Sequence, residues 1–481
     1  MIKHVRTRFA PSPTGFLHVG GLRTALYAFL LARKHGGEFL LRIEDTDRTR
    51  LVPGAVENII SALQWAGIEF DEGPGKNGPC GPYVQSERLP LYQKHAQELL
   101  AAGHAYYCFC SAERLEMVRA AKIANKLPPA YDQHCRNLAP DVVTQQLQGS
   151  TTHVIRMKVP HEGELTFNDL IRGDVTFGYK TVDDQVLLKS DGFPTYHLAV
   201  VVDDHYMNIS HVIRGEEWLS STPKHILLYQ YFGWQAPLFA HLPLMLNPDR
   251  SKLSKRQGDV AVEDYRQKGF LPEALVNFIA FLGWNPGGTR EFFTLDELIQ
   301  EFTLERVGSA GAVFNLEKLN WMNQQYIARM DSDELLKHVK PMFAEKGWTN
   351  FSDQYFKEAL VLLKERVILM PDFLTTGPFF FEAPTSFDEQ LKAKNWKAES
   401  AEYIRDVARI FQALPAFDAA SVEQAIRAYA IEKGVNVSAL IHPLRLALSG
   451  AAQGPSLWQM IAVFGKAEVA KRIELACKTL G

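Results

Sequence analysis

Two short stretches, far apart in the chain, carry residues suited to phosphate chemistry. His18-Val19-Gly20-Gly21 follows the β-like run VRTRFAPS and opens an apolar stretch, LRTALYAFLLARKHG. Glycines at a strand-to-helix turn let phosphates approach the backbone N–H groups of the helix start, where the dipole favours negative charge. A histidine there can donate to a phosphate oxygen. The second stretch, NPDRSKLSKRQGD at residues 247–259, sets Lys252 and Lys255 on either side of Ser254. Lysines that swing onto a triphosphate neutralise the charge that develops as phosphorus is transferred. Each stretch alone also has a plainer reading. A glycine-containing turn needs no ligand, and a lysine loop is commonly solvated surface.

The elements that must position these groups can be read from the pattern. VRTRFAPS reads as a strand, GGLRTALYAFLLARKHG as an amphipathic helix, EFLLRIEDTD as a second strand and PGAVENIISALQWAG as a second helix. Pro53 stands where that helix should start and Gly67 where it should stop. Alternation at this spacing implies a parallel sheet with right-handed crossovers, which binds ligands at the carboxyl ends of its strands. The pattern breaks at DEGPGKNGPCGPY and gives way to a helical piece, a cysteine region and β-like text. It returns in YHLAVVVDDHYM and SHVIRGEEWLSST, where VVV and HVI read as buried strands. From about residue 320 the text is helical.

The expected architecture is α/β: a split Rossmann-type parallel-sheet domain, an inserted α+β domain and an all-helical C-terminal domain. The boundaries expected are 1–90 and 196–250 for the two sheet halves, 91–195 for the insertion, 251–325 for the segment carrying the lysine loop, and 326–481 for the helical domain.

With 46% hydrophobic and 22% charged residues the chain reads as an ordinary globular protein. No apolar run is long enough to span a bilayer and MIKHVRTRFA has no signal-peptide core, so the cytoplasm is the expected location. A net charge of -3 neither announces nor excludes a polyanion partner, because such partners are bound by local patches. Five cysteines in 481 residues do not make a disulfide scaffold, although Cys108, Cys110 and Cys135 lie close enough to raise a metal question.

Taken together, HVGG and KLSKR resemble the two signatures of class I aminoacyl-tRNA synthetases. RFAPSPTGFLHVGGLRTAL, RIEDTD, YHLAVVVDD, HVIRGEEW and HLPLMLN together resemble the bacterial glutamyl-tRNA synthetase family. The resemblance continues through LNWMNQQYI to HPLRLALSGAAQGPSLWQMIAVFGKAEVAKRI. It implies ligation of glutamate to tRNA(Glu) with ATP and Mg2+, by a monomer with no membrane partner. Gly21 stands for the last histidine of the general signature, and Leu253 and Arg256 replace its methionine and serine.

On that resemblance His18, Gly20 and Gly21 hold the phosphates of ATP, and Lys252 and Lys255 act as catalytic cations. Trp218 and Met245 lie near the adenine, with Glu217 close to the ribose or base. A glutamate ligand carries two carboxylates and one ammonium, so its pocket needs cations and an anion. Arg8 and Arg214 suit the carboxylates because guanidinium binds them bidentately. Glu44 suits the ammonium, and Ser12 and Tyr196 supply hydroxyls. Arg8, Glu44, Tyr196 and Arg214 are expected at strand ends that converge on one crevice. Val200 stands where some relatives carry Asn.

Asp45, Asp47, Asp203 and Asp204 are read as architecture rather than as proton-transfer groups. Arg366 and Arg445 fall where the family places arginines against anticodon bases, and Arg366 points to charging of glutamate tRNA only. The family's zinc pattern, Cys-x-Cys then Cys-x-His, is kept by Cys108, Cys110 and Cys135 but ends at Asn137. Structural zinc requires four good donors, so no metal is expected, with His134 the substitute ligand to be examined. Rival readings are a truncated tRNA-modifying glutamyl transferase, which would lack the helical third, a small-molecule nucleotidyltransferase, and a non-catalytic RNA-binding relative.

Overall fold

A computed structural model of the chain describes residues 4–76, 78–253 and 260–481. Two compact units result: Met1–Arg266 with Leu275–Asn315, and Gln267–Ala274 with Leu316–Gly481. No helix among the described residues is long and apolar enough to cross a membrane.

The first unit begins with a strand, Arg6–Phe9, paired in parallel with Glu38–Leu41, from Arg6 opposite Glu38 to Phe9 opposite Leu41. Between them runs the crossover helix Val19–Lys34, which buries Leu22, Ala25, Leu26, Phe29 and Leu30. His18 caps its start: the Gly20 N–H donates to His18 Nδ1 at 2.9 Å. A second helix follows at Ala55–Trp65.

A four-stranded sheet places Gly173–Gly178, Glu164–Asp169, Leu238–Leu242 and His211–Gly215 side by side, the last two in parallel. Ser210 ties this sheet to the first strand, donating its N–H to the Arg6 carbonyl at 2.9 Å and accepting from Arg6 N at 2.7 Å. Within the expected insertion, Ala105–Cys108, Val154–Met157 and Val186–Leu188 form an antiparallel three-stranded sheet. The 164–178 hairpin, in contrast, joins the larger sheet where Asp169 pairs with Phe239.

One element differs in kind from the sequence reading. Tyr196–Tyr206, expected to contain a buried VVV strand, is a helix. Leu198 through Asp204 are all buried along it. A helix covered on every side reads as a continuous apolar run, which periodicity cannot tell from an inner strand. Tyr196 therefore stands at a helix start and not at a strand end.

The second unit is helical. Its core includes Leu335, Phe343, Phe356, Leu360, Phe380, Ile404, Phe411, Leu444 and Ile461, all almost fully buried. Side-chain caps start several helices, among them Asp331, Ser352 and Asp418, each accepting from backbone N–H groups of the first turn.

Candidate active site

A cleft of about 1060 Å³ opens over the first strand and the start of the crossover helix. Its walls bring together Arg8, Ser12, His18, Gly20, Gly21, Glu44, Tyr196, Arg214, Glu217, Trp218, Met245 and Lys252. Residues separated by more than two hundred positions thus face one space. Lys255 lies outside the described residues.

At one end stands the capped helix. Because His18 Nδ1 accepts the Gly20 N–H, the proton of the neutral ring sits on Nε2, which makes that nitrogen a donor. The Gly20 N–H is spent on this cap. A Cβ would stand 3.2 Å from His18 Nδ1 at Gly20 and 3.0 Å from Leu17 Cδ1 at Gly21, so a larger residue at either would press on those side chains. Trp218 is 40% exposed, which rules out a role as core filler, and its ring lies 4.5 Å from that of Tyr196.

At the other end is a buried charge cluster. Arg8 donates to both oxygens of Asp204, at 3.1 and 3.2 Å. Arg42, with no solvent exposure, reaches Asp204 Oδ1 at 2.7 Å and Glu44 Oε1 at 3.0 Å. Arg88 donates to Asp203 Oδ1 at 2.7 Å, and Gln85 and Tyr92 donate to Asp203 Oδ2. Three guanidiniums thus meet three carboxylates. Burial pushes the Glu44 carboxyl upward, and Arg42 and Arg8 work against that push. Asp204 is held low: burial opposes ionisation, but Arg8 and Arg42 outweigh it.

Asp204 thus engages Nε and Nη2 of Arg8, which also lines the cleft. Arg214 differs. It is 5% exposed, and its contacts are Tyr196, Thr222, His225, His241 and the Trp218 carbonyl, all neutral. Among the described residues it forms no ion pair with a carboxylate.

Sequence reasoning missed Arg42, Lys189 and the histidines behind Arg214. Arg42 had a signal, a lone charge inside the apolar run FLLRI. Lys189 lines the cleft and donates to the Thr46 carbonyl at 3.1 Å, yet nothing in its local sequence marks it. Asp45 and Asp47 do hold their loop. Asp45 accepts from Arg48 and from Ser86 N, and Asp47 from Thr49 and Arg50.

The three thiols of Cys108, Cys110 and Cys135 lie within 4.8 Å of one another. His134 is not among the grouped ligand atoms. The Tyr131 hydroxyl instead stands 3.3 Å from Cys108 Sγ and 3.4 Å from Cys110 Sγ, and accepts the Cys135 N–H at 3.0 Å. Burial pushes the Cys110 thiol up to about 11, while Cys108, despite its own burial, is held below the usual thiol value by its hydrogen bonding with Tyr131 and the Cys110 backbone. The structure thus gathers three thiols and a phenol oxygen where the family pattern has three thiols and an imidazole.

In the second unit Arg445 is half-buried, and its Nη1 meets no hydrogen-bond partner among the described residues. Burial and the neighbouring Arg366 charge both depress its pKa, so two like charges share one site.

Comparison with known proteins agrees with this geometry. The family described as class I tRNA synthetases (E and Q), catalytic domain, matches residues 4–321. The chain belongs to the glutamyl-tRNA synthetase family. An anticodon binding domain family matches residues 334–477. The glutamate–tRNA ligase of Chloroherpeton thalassium is 51% identical over 99% of this chain and 98% of its own. That of Chlorobium chlorochromatii is 50% identical over 99% of each. Among solved structures, a glutamate tRNA ligase from Elizabethkingia meningosepticum in complex with its amino acid superposes with a TM-score of 0.94. It is 42% identical and covers 100% of both chains. A glutamate-tRNA synthetase from Elizabethkingia anophelis gives 0.91 and 41%, covering 99% of this chain and 100% of its own. Such full-length matches assign both units of this glutamyl-tRNA synthetase family member, the α/β unit and the helical one.

Proposed function

We infer that the protein is a glutamate–tRNA ligase: it activates L-glutamate with ATP and transfers the glutamyl group to the 3' end of tRNA(Glu). ATP enters as its Mg2+ complex. An oxygen of the glutamate α-carboxylate attacks the α-phosphorus in line, giving glutamyl-adenylate and releasing pyrophosphate. A hydroxyl of the terminal tRNA ribose then attacks the adenylate carbonyl, giving glutamyl-tRNA and AMP. Neither step needs a protein nucleophile, so catalysis is positioning and charge stabilisation.

His18 Nε2 donates to a phosphate oxygen, with Gly20 and Gly21 keeping the helix start clear. Lys252 and Lys255 neutralise the polyphosphate as charge moves onto the leaving group. Trp218 and Met245 receive the adenine, and Glu217 the ribose or base. Glu44 faces the substrate ammonium, while Ser12 and Tyr196 offer hydroxyls. Arg8, held by Asp204 through Nε and Nη2, lines the pocket and joins Arg214 in facing the substrate carboxylates. Arg366 and Arg445 meet the anticodon, where guanidinium planes stack on unpaired bases and bond their edges.

One observation carries the choice of glutamate. Arg214 is a buried cation on the cleft wall whose protein partners are all neutral. A carboxylate supplies its countercharge and a carboxamide does not, a difference of a few kcal/mol. The test is ATP–pyrophosphate exchange with each amino acid, with and without tRNA, followed by charging of separate glutamate and glutamine tRNAs. Exchange with glutamate and charging of glutamate tRNA are expected. Activity with another amino acid and none with glutamate would sink the reading.

A further inference from the structure

The neutral shell around Arg214 is itself ordered by proton placement. Arg214 Nε–H donates to His241 Nε2 at 3.0 Å. His241 Nε2 must therefore be bare, with the ring proton on Nδ1. Asp169 Oδ2 stands 2.6 Å from that Nδ1 and accepts it. Asp169 is 1% exposed, and its other oxygen, Oδ1, accepts three backbone N–H groups, from Ile171 at 3.0 Å, Arg172 at 3.1 Å and His241 at 3.3 Å. One carboxylate thus locks one tautomer from behind.

A second chain of bonds does the same from another side. Arg214 Nη1 meets His225 Nδ1 at 3.2 Å, so that nitrogen too is bare, and His225 Nε2–H points to His197 Nδ1 at 3.0 Å. Thr222 Oγ1 accepts from Nη2 at 2.9 Å. Both imidazoles are almost fully buried and lie against a permanent cation, which keeps them uncharged.

We propose that Asp169, His241 and His225 are positioning residues for glutamate selection: they fix the tautomers that offer bare nitrogens to Arg214, and so hold its guanidinium aimed into the cleft without a protein countercharge. A carboxylate placed directly against Arg214 would hold it as firmly but would cancel the charge the substrate needs. Asp169 achieves the fixing at one remove, through a neutral ring. The inference rests on the reading of Arg214 as the partner of the substrate's side-chain carboxylate.

Asp169→Asn is the discriminating substitution because it changes proton placement and almost no volume. Three N–H donors hold the amide oxygen at the Oδ1 position, which turns the amide nitrogen toward His241 Nδ1. That nitrogen must then accept, the ring proton moves to Nε2, and two N–H groups face each other at Arg214. KM for glutamate in ATP–pyrophosphate exchange is expected to rise about 10- to 100-fold, the range for losing one charge-assisted hydrogen bond. KM for ATP should stay within about threefold, and kcat should change less than KM for glutamate.

Asp169→Asn/His241→Gln separates positioning from general damage. Glutamine places Oε1 where Nε2 stood and has no tautomer to lose, so the double variant is expected to recover most of the glutamate KM. Equal or worse KM in the double variant overturns the proposal, as does an Asp169→Asn enzyme whose glutamate KM is unchanged. If Asp169→Asn does not fold, His225→Asn and His225→Phe decide. Asparagine keeps an acceptor at the Nδ1 position, so phenylalanine must raise KM for glutamate several-fold further, and equal effects overturn the inference. Wild-type enzyme run in parallel distinguishes the two levels: no exchange with glutamate refutes the function itself, whereas an active wild type with unaffected variants refutes only the positioning roles.

Discussion

Replacing Arg214 with methionine removes the cation and keeps most of the side chain's volume. The guanidinium's contacts are all neutral, so the variant leaves no protein carboxylate stranded in the core. The loss falls on the substrate. Tyr196 and Trp218, which share Arg214 with the cleft, mark the side from which a carboxylate approaches, and the Trp218 carbonyl, at 3.4 Å, is the longest of the existing contacts. Two charge-assisted bonds at about 1.5–3 kcal/mol each come to about 3–6 kcal/mol, or about 10²–10⁴ in kcat/KM for glutamate. Glutamine has no charge to lose, so its kcat/KM falls far less and the preference between the two collapses. Pyrophosphate exchange with saturating ATP and tRNA, titrating each amino acid separately, measures both quantities. A melting curve confirms that the variant is folded. Arg214→Met retaining glutamate kcat/KM within about tenfold of wild type would refute the assignment of selectivity to this residue.

Three other outcomes follow from particular contacts. His197 is pushed down to about 3, and His225 and His241 are also lowered, in each case first by burial. Unfolded histidines take up protons near pH 6.5 while these stay neutral, so stability is full above that pH and falls on acidification. The loss reaches up to about 2 kcal/mol per ring by pH 5, and urea midpoints that do not move between pH 7.5 and 5 would contradict it. At Gly215 a Cβ would overlap the Glu217 carboxylate, whose exposed side chain can swing away. Gly215→Ala should therefore raise KM for ATP several-fold with a melting temperature close to wild type, and an unchanged KM for ATP would remove Glu217 from the nucleotide site. Arg445→Ala relieves repulsion with Arg366, so it should raise KM for tRNA about tenfold without lowering stability, while KM for glutamate stays put. A rise in KM for glutamate would place Arg445 elsewhere in the mechanism.

The glycine turn, the capped helix and the cleft wall were legible because each depends on local chemistry: a histidine before two glycines, an apolar face of helical period, arginines near strand ends. The Tyr196–Tyr206 helix was not, since Val200, Val201 and Val202 are buried on every side and show no periodicity to read. Arg8 looked the same in sequence as Arg214, and what separates them is Asp204, 196 residues beyond Arg8. His241 and Asp169 stand 72 residues apart, and no local signal marks either as oriented toward the pocket. The cysteine trio was visible by its spacing, whereas Tyr131 could be found among the thiols only in three dimensions.

The pair Asp203–Asp204 also bears on the order in which the chain can be built. Arg8, Arg42 and Arg88 leave the ribosome long before these carboxylates, which lie 196, 162 and 115 residues further along than the arginines they neutralise. A buried guanidinium deprived of its partner costs several kcal/mol, so these carboxylates are integral to the stability of the N-terminal strand pair. The ion pairs of Arg8 and Arg42 with Asp204, and of Arg88 with Asp203, can form only once the Tyr196–Tyr206 helix has been made.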